Sequence, residues 1–302
     1  MLYGTTTAGG SANVGTVFRI TQTGSNYAVL RSFSTSGSDG RSPRSGLLAA
    51  RDGVLYGTTA EGGSENRGTV FKLNTDGTGY AVLRSLQASN GDGRTPSAAL
   101  LEATDGMLYG STERGGVLGR GMLFRLNKNG TAYTVLRGFE GSPSDGQTPT
   151  SRLVEGRDGR LYGTTLAGGL GGAGTVFAVQ PDGTAHTILR HFNRSGGDGE
   201  APQATVLEGS DGALYGTTQK GGLEGVGTVF RVNKDGTGLA VLWNFTSNLT
   251  NGKSPRAPLI EGRDGALYGT TELGGTWNYG TVFKLNKDGS GFTLLRSLKT
   301  VP

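Results

Sequence analysis

The chain has 302 residues, 57 of them glycine, no cysteine, and a formal net charge of +5 at pH 7. The missing cysteine rules out disulfides and thiolate metal sites. No Lys/Arg run exceeds two residues, so no nucleic-acid footprint is indicated, and no stretch approaches the roughly 18 apolar residues of a spanning helix.

Glycine at this abundance marks low complexity when it is scattered, but here it recurs at fixed places. Leu-Tyr-Gly-Thr-Thr begins at Leu2 and returns at Leu55, Leu108 (with Ser111 for the first Thr), Leu161, Leu214 and Leu267, always 53 residues on. A fixed period slightly above 50 residues is the signature of a repeat architecture. Residues 96–148 show one repeat. Pro96 introduces a short strand A over Ser97–Ala103, and Asp105-Gly106 supplies a tight turn. Gly tolerates the positive φ that such turns require. Strand B is Met107–Thr112, a loop follows through Gly115-Gly116, and strand C is Met122–Leu126. Asn129-Gly130 makes a second turn into strand D, Ala132–Phe139, and a loop through Asp145-Gly146 reaches Pro149. No segment shows sustained helical periodicity.

The reading is all-β: a six-bladed β-propeller of four-stranded antiparallel blades, spanning 1–302 as a single domain. One such sheet is apolar on both faces and buries them only by stacking on neighbours. Strands B, C and D occur six times but strand A five, since the chain starts at strand B and stops at Pro302. One blade is therefore expected to be three-stranded, in a fragment lacking signal and sorting segments.

The consensus, x-P-x-x-x-L-x-x-x-x-D-G-x-L-Y-G-T-T-x-x-G-G-x-x-x-x-G-T-V-F followed by V-L-R-S-F, resembles the GloVer tandem-repeat (choice-of-anchor) proteins over all 302 residues. The blade layout is loosely similar to kelch, without its Trp. The GloVer resemblance implies a secreted or surface-associated bacterial protein with no established activity.

Most repeated residues have roles that need no ligand. Phe18, Phe71, Phe124, Phe177, Phe230 and Phe283 read as inter-blade core. Tyr3, Tyr56, Tyr109, Tyr162, Tyr215 and Tyr268 read as packed rings with bonded hydroxyls rather than sugar platforms. Arg31, Arg84, Arg137, Arg190 and Arg296 read as charges that guard an outer edge, with Trp243 in the fifth set. Asp39, Asp92, Asp145 and Asp198, in the D–A loops, read as turn formers. Calcium is the alternative for them, although one carboxylate per loop is thin for six to eight oxygens. His186 and His191 read as surface histidines on one strand, and no catalytic motif is present.

The two tight turns of each repeat fall on one face, so individuality is expected on the other, at the B–C and D–A loops. Arg41, Arg44, Arg94, Lys253 and Arg256 lie there with the distinctive Trp277-Asn278-Tyr279. These eight residues are the ligand-binding candidates. The favoured function is a non-enzymatic binding module for polysaccharide or a surface protein, acting as a monomer without cofactor. A polysaccharide lyase or hydrolase with a site at a central channel, or a purely structural repeat, are the alternatives.

Overall fold

The structure is a computed structural model that describes residues 1–248 and 251–299. Two compact units divide the chain, Met1–Phe139 and Glu140–Pro302.

In the first unit, strands Leu2–Thr6, Thr16–Ile20 and Ala28–Ser32 form a three-stranded antiparallel sheet. Two four-stranded sheets follow, in sequential A-B-C-D order: Leu48–Ala49, Val54–Thr59, Thr69–Asn74 and Ala81–Ser85, then Leu101–Glu102, Leu108–Thr112, Met122–Leu126 and Thr134–Gly138. The second unit holds three more four-stranded sheets of the same order, whose B strands are Leu161–Thr165, Leu214–Thr218 and Leu267–Thr271. All pairings within these sheets are antiparallel, and a register shift recurs between strands C and D, as at Leu123/Phe124. Such a bulge increases local twist.

Strand A is shorter than the sequence implies: two residues, Leu101–Glu102, rather than Ser97–Ala103. The preceding backbone is committed elsewhere. Thr95 N–H donates to the Arg67 carbonyl at 3.0 Å, and the Ala98 carbonyl accepts from Thr58 Oγ1 at 3.2 Å. That segment links to the previous repeat instead of to its own strand B.

Each residue of Leu-Tyr-Gly-Thr-Thr has a separate task. The second-unit tyrosines Tyr162 and Tyr215 are fully buried, as is Tyr109 in the first unit. Their hydroxyls donate to the A–B turn aspartates: Tyr109 to Asp105 at 2.6 Å, Tyr162 to Asp158 at 2.6 Å and Tyr215 to Asp211 at 2.8 Å. The glycine lies under a phenylalanine ring. A Cβ on Gly163 would stand 2.5 Å from Phe177 Cζ. The first threonine reaches the next repeat, as Thr164 Oγ1 does to the Ala204 carbonyl at 3.2 Å. The second pairs with the threonine that opens strand C, as in Thr165–Thr175 at 2.8 Å.

Neighbouring sheets bury apolar faces against each other. In the first unit, Tyr56 and Val70 of one sheet pack with Leu100, Leu108, Phe124 and Leu126 of the next. In the second, Tyr162 and Val176 pack with Leu214, Phe230 and Val232. Phe71, Phe124, Phe177, Phe230 and Phe283 are fully buried, whereas Phe18, on the three-stranded sheet, is partly exposed.

Candidate functional site

Three of the strand D arginines, Arg31, Arg84 and Arg190, are not bare edge charges, whereas Arg296 on the last strand D is exposed. Arg31 Nη2 donates to Asp39 at 2.6 Å, Arg84 to Asp92 at 2.7 Å, and Arg190 also bonds Asp198. The guanidiniums of Arg31 and Arg84 stack over Tyr80 and Tyr133 of the following repeat, 4.0 and 4.1 Å from the ring centroids. This seats the charge between neighbouring sheets, because a guanidinium face suits an aromatic ring while its edge suits a carboxylate. In the fifth set the group changes together. Trp243 replaces the arginine, Asn251 the aspartate, and Trp243 stacks flat on Phe292 at 3.9 Å.

The D–A loop aspartates are engaged by donors of the protein itself. Asp39 accepts from the N–H groups of Ser34 and Gly40 as well as from Arg31 and Tyr80, and Asp92 from Gln87 N–H. Among the described residues no three His, Asp or Glu side chains gather as a metal site. The histidines also differ from surface residues. The His186 side chain is 9% exposed, 3.8 Å from Asp145, with its ring 5.6 Å from that of Phe177. It occupies the slot that Tyr80 and Tyr133 fill elsewhere. His191 is half-buried, and its Nδ1 accepts from Leu170 N–H at 3.2 Å. Burial, then the neighbouring Arg190, lowers its pKa.

On the tight-turn face, lysines bridge neighbouring repeats. Lys287 reaches Glu261 at 2.6 Å and Asp211 at 3.8 Å, and Lys234 and Lys128 do the same in their repeats. Lys287 and Ser210 hold the Glu261 pKa down at about 2. Burial and the aspartate bond push Tyr109 and Tyr215 up to about 12 from an ordinary 10.0. A raised tyrosine pKa contributes stability in full below pH 10, and that contribution is lost as pH rises towards 12. An ultraviolet titration should therefore show these tyrosines ionising late; release of all ten near pH 10 would contradict the buried bonds.

The eight candidates lie on the B–C and D–A loops, which are tied together by short ribbons. Gly40-Arg41 pairs with Glu61-Gly62, and Gly93-Arg94 with Arg114-Gly115. In the first unit Arg41 bonds Asn66, Arg44 lies 3.8 Å from Glu61, and Arg94 lines a recess of about 410 Å³ with Arg67, Gly115 and Val117. In the second unit Lys253 exchanges backbone bonds with Leu273, and Arg256 meets Glu272 at 2.8 Å.

Trp277 stands apart from Lys253 and Arg256. It is 59% exposed and shares a recess of about 400 Å³ with Leu294, Leu295, Arg296 and Lys299, along strand D of its own repeat. Tyr279 is 56% exposed. Asn278 closes the loop from within: its φ is 57°, and its Oδ1 accepts from Gly274 N–H at 2.9 Å. Gly119, Gly172 and Gly225 hold the equivalent left-handed position, where Asn is among the few tolerated side chains. Arg114, Arg296 and Lys299 were not among the sequence candidates, nor were the exposed Val117, Leu170 and Leu223. The Gly-Gly-Val and Gly-Gly-Leu steps of those loops carry the signal for the last three, since an apolar residue at a loop tip has nothing to pack on.

Repeated antiparallel sheets with buried seams and variable loops define a tandem-repeat, β-propeller-like all-β protein. The chain belongs to the Gloeobacter/Verrucomicrobia repeat family, whose model matches residues 1–196 and 142–301. No curated protein matches the sequence. Among solved structures, the nidogen/laminin complex aligns at 14% identity and TM-score 0.53, covering 96% of this chain and 90% of that one. The extracellular domain of BT4673 from B. thetaiotaomicron aligns at 10% identity and TM-score 0.59, over 87% of this chain and 30% of that one. That of BT3049 from the same organism aligns at 15% identity and TM-score 0.54, over 83% and 29%. The chain thus spans under a third of the length of these two extracellular domains. At such identities the likeness speaks for the fold alone. Among the described residues no helix is long and apolar enough to cross a membrane, which says nothing about β-barrels.

Proposed function

We propose that the six repeats form the blades of one propeller, and that it serves as an extracellular glycan-binding module. The observation that carries the reading is the Trp277–Tyr279 loop. Two aromatic residues, 59% and 56% exposed, flank an internally anchored Asn278. Exposed rings are costly to solvate but stack well on the C–H face of a sugar. Arg296 and Lys299 in the same recess supply donors for hydroxyl or acid groups. Localisation outside the cell is supported by the likeness to extracellular domains.

Titration of soluble oligosaccharides into the protein, with Trp277→Ala as comparison, is the test. The wild type is expected to bind, with at least about a tenfold weaker affinity in the variant. Equal binding by both, or turnover of the sugar, would overturn the reading.

A further inference from the structure

Five D–A loop residues stand opposite five B–C loop residues in the loop ribbons, and their side-chain chemistry differs at each. The pairs are Arg41–Glu61, Arg94–Arg114, Gln147–Ala167, Glu200–Lys220 and Lys253–Leu273. Residues directly opposite in an antiparallel pair share a face, with Cβ atoms about 5 Å apart, and like charges there are destabilising. Two of the ribbons set opposite charges together. One sets two guanidiniums together.

Nothing among the described residues neutralises that pair. Arg94 and Arg114 are both exposed, and neither makes an ion pair with another described residue. Two nearby acids are committed elsewhere. Asp92 is bonded to Arg84 at 2.7 Å, and Glu65 lies 3.6 Å from Arg67 and accepts from Ala88 N–H at 2.8 Å. Arg94 faces the recess of about 410 Å³, which is also lined by Arg67, by the buried Asp92 that Arg84 already pairs, and by Gly115, Gly116 and Gly119, all at positive φ. Val117, 93% exposed, stands on its rim.

We infer that Arg94 and Arg114 form a subsite for the carboxylate of an acidic sugar, a step that rests on the glycan reading above. Guanidinium forks match a carboxylate in bidentate geometry, and two forks on one face relieve their mutual repulsion when a single anion sits between them. Val117 offers an apolar contact for the ring's C–H face. A shallow polar recess of this kind suits a hydroxylated acid better than an apolar peptide side chain.

The molecule supplies its own fold-safe variants. Arg94→Gln with Arg114→Ala copies Gln147–Ala167, and Arg114→Glu copies Arg41–Glu61. The probes are an oligogalacturonate and its methyl ester, titrated into the intact chain at low and moderate salt. The free acid is expected to bind at least about tenfold more tightly than the ester. Salt should narrow the gap, and either variant should abolish it while circular dichroism and melting temperature hold. Equal binding of acid and ester to the wild type would sink the subsite and leave the glycan reading standing. An acid preference that survives in both variants would also overturn it. Failure of every glycan, with poly-glutamate bound through Arg94 and Arg114, would remove both readings and assign the pair to an acidic protein partner.

Discussion

Asp92→Ala is expected to cost about 3–5 kcal/mol of stability, the usual result of breaking a buried ion pair by removing one partner. The Asp92 side chain is fully buried, and it accepts from Arg84 at 2.7 Å and from Gln87 N–H at 2.9 Å. Its loss leaves the half-buried Arg84 uncompensated above Tyr133 and strips the D–A loop of its internal acceptor. The melting temperature should fall on the order of 10 °C. Asp76→Ala, at an exposed turn of the same unit, should barely move it, and similar losses for the two would refute the argument. The fifth repeat indicates a rescue. Arg84→Trp, Asp92→Asn and Tyr133→Phe together copy Trp243, Asn251 and Phe292, and should recover most of the loss because a stacked apolar pair replaces an ionic one.

Phe177→Ala should cost about 3–5 kcal/mol as a cavity left in the core. Gly163→Ala should cost about 1–3 kcal/mol by overpacking, because its Cβ would stand 2.5 Å from Phe177 Cζ and 2.9 Å from Leu153 Cδ2. The two losses should not add. With the ring gone the new methyl has space, so the double variant should be more stable than the sum of the single effects implies. Denaturant melts of the four proteins measure the coupling, and strict additivity would show that the ring and glycine do not depend on each other.

The period of 53 residues made strands B and C legible almost to the residue, since Leu-Tyr-Gly-Thr-Thr and Gly-Thr-Val-Phe alternate as strands must. Contacts between repeats were less so. Nothing adjacent in sequence ties Arg31 to Tyr80, and a charge on an outer strand looks the same whether it guards an edge or fills a seam. His186 was obscured for the same reason, because it packs on Phe177 across its own turn and on Asp145 from a loop 41 residues earlier. Strand A was overestimated because propensity cannot tell that the Ala98 carbonyl is claimed by Thr58 of another sheet. At the candidate site, Trp277 and Tyr279 could be picked out as unusual. That Asn278 serves its own loop was legible from Asn13 and Asn66, which stand at the same repeat position and close their loops by the same bond to Gly9 and Gly62 N–H.

The lysine bridges and threonine bonds have a further consequence for ancestry. Thr164 reaches 40 residues ahead to Ala204, Arg157 51 ahead to Glu208, and Lys234 76 back to Asp158. Each repeat therefore stores half of two seams, so inheritance acts on the junction rather than on the sheet. A whole repeat copied in phase keeps every strand and loop in step, although a pair specific to one seam, such as Trp243 on Phe292, does not recur at the new junction. A single inserted residue displaces several junctions at once. A gene for such a protein can grow or shrink by whole copies while resisting small changes in length, and the uninterrupted spacing from Leu2 to Leu267 is the record of that constraint.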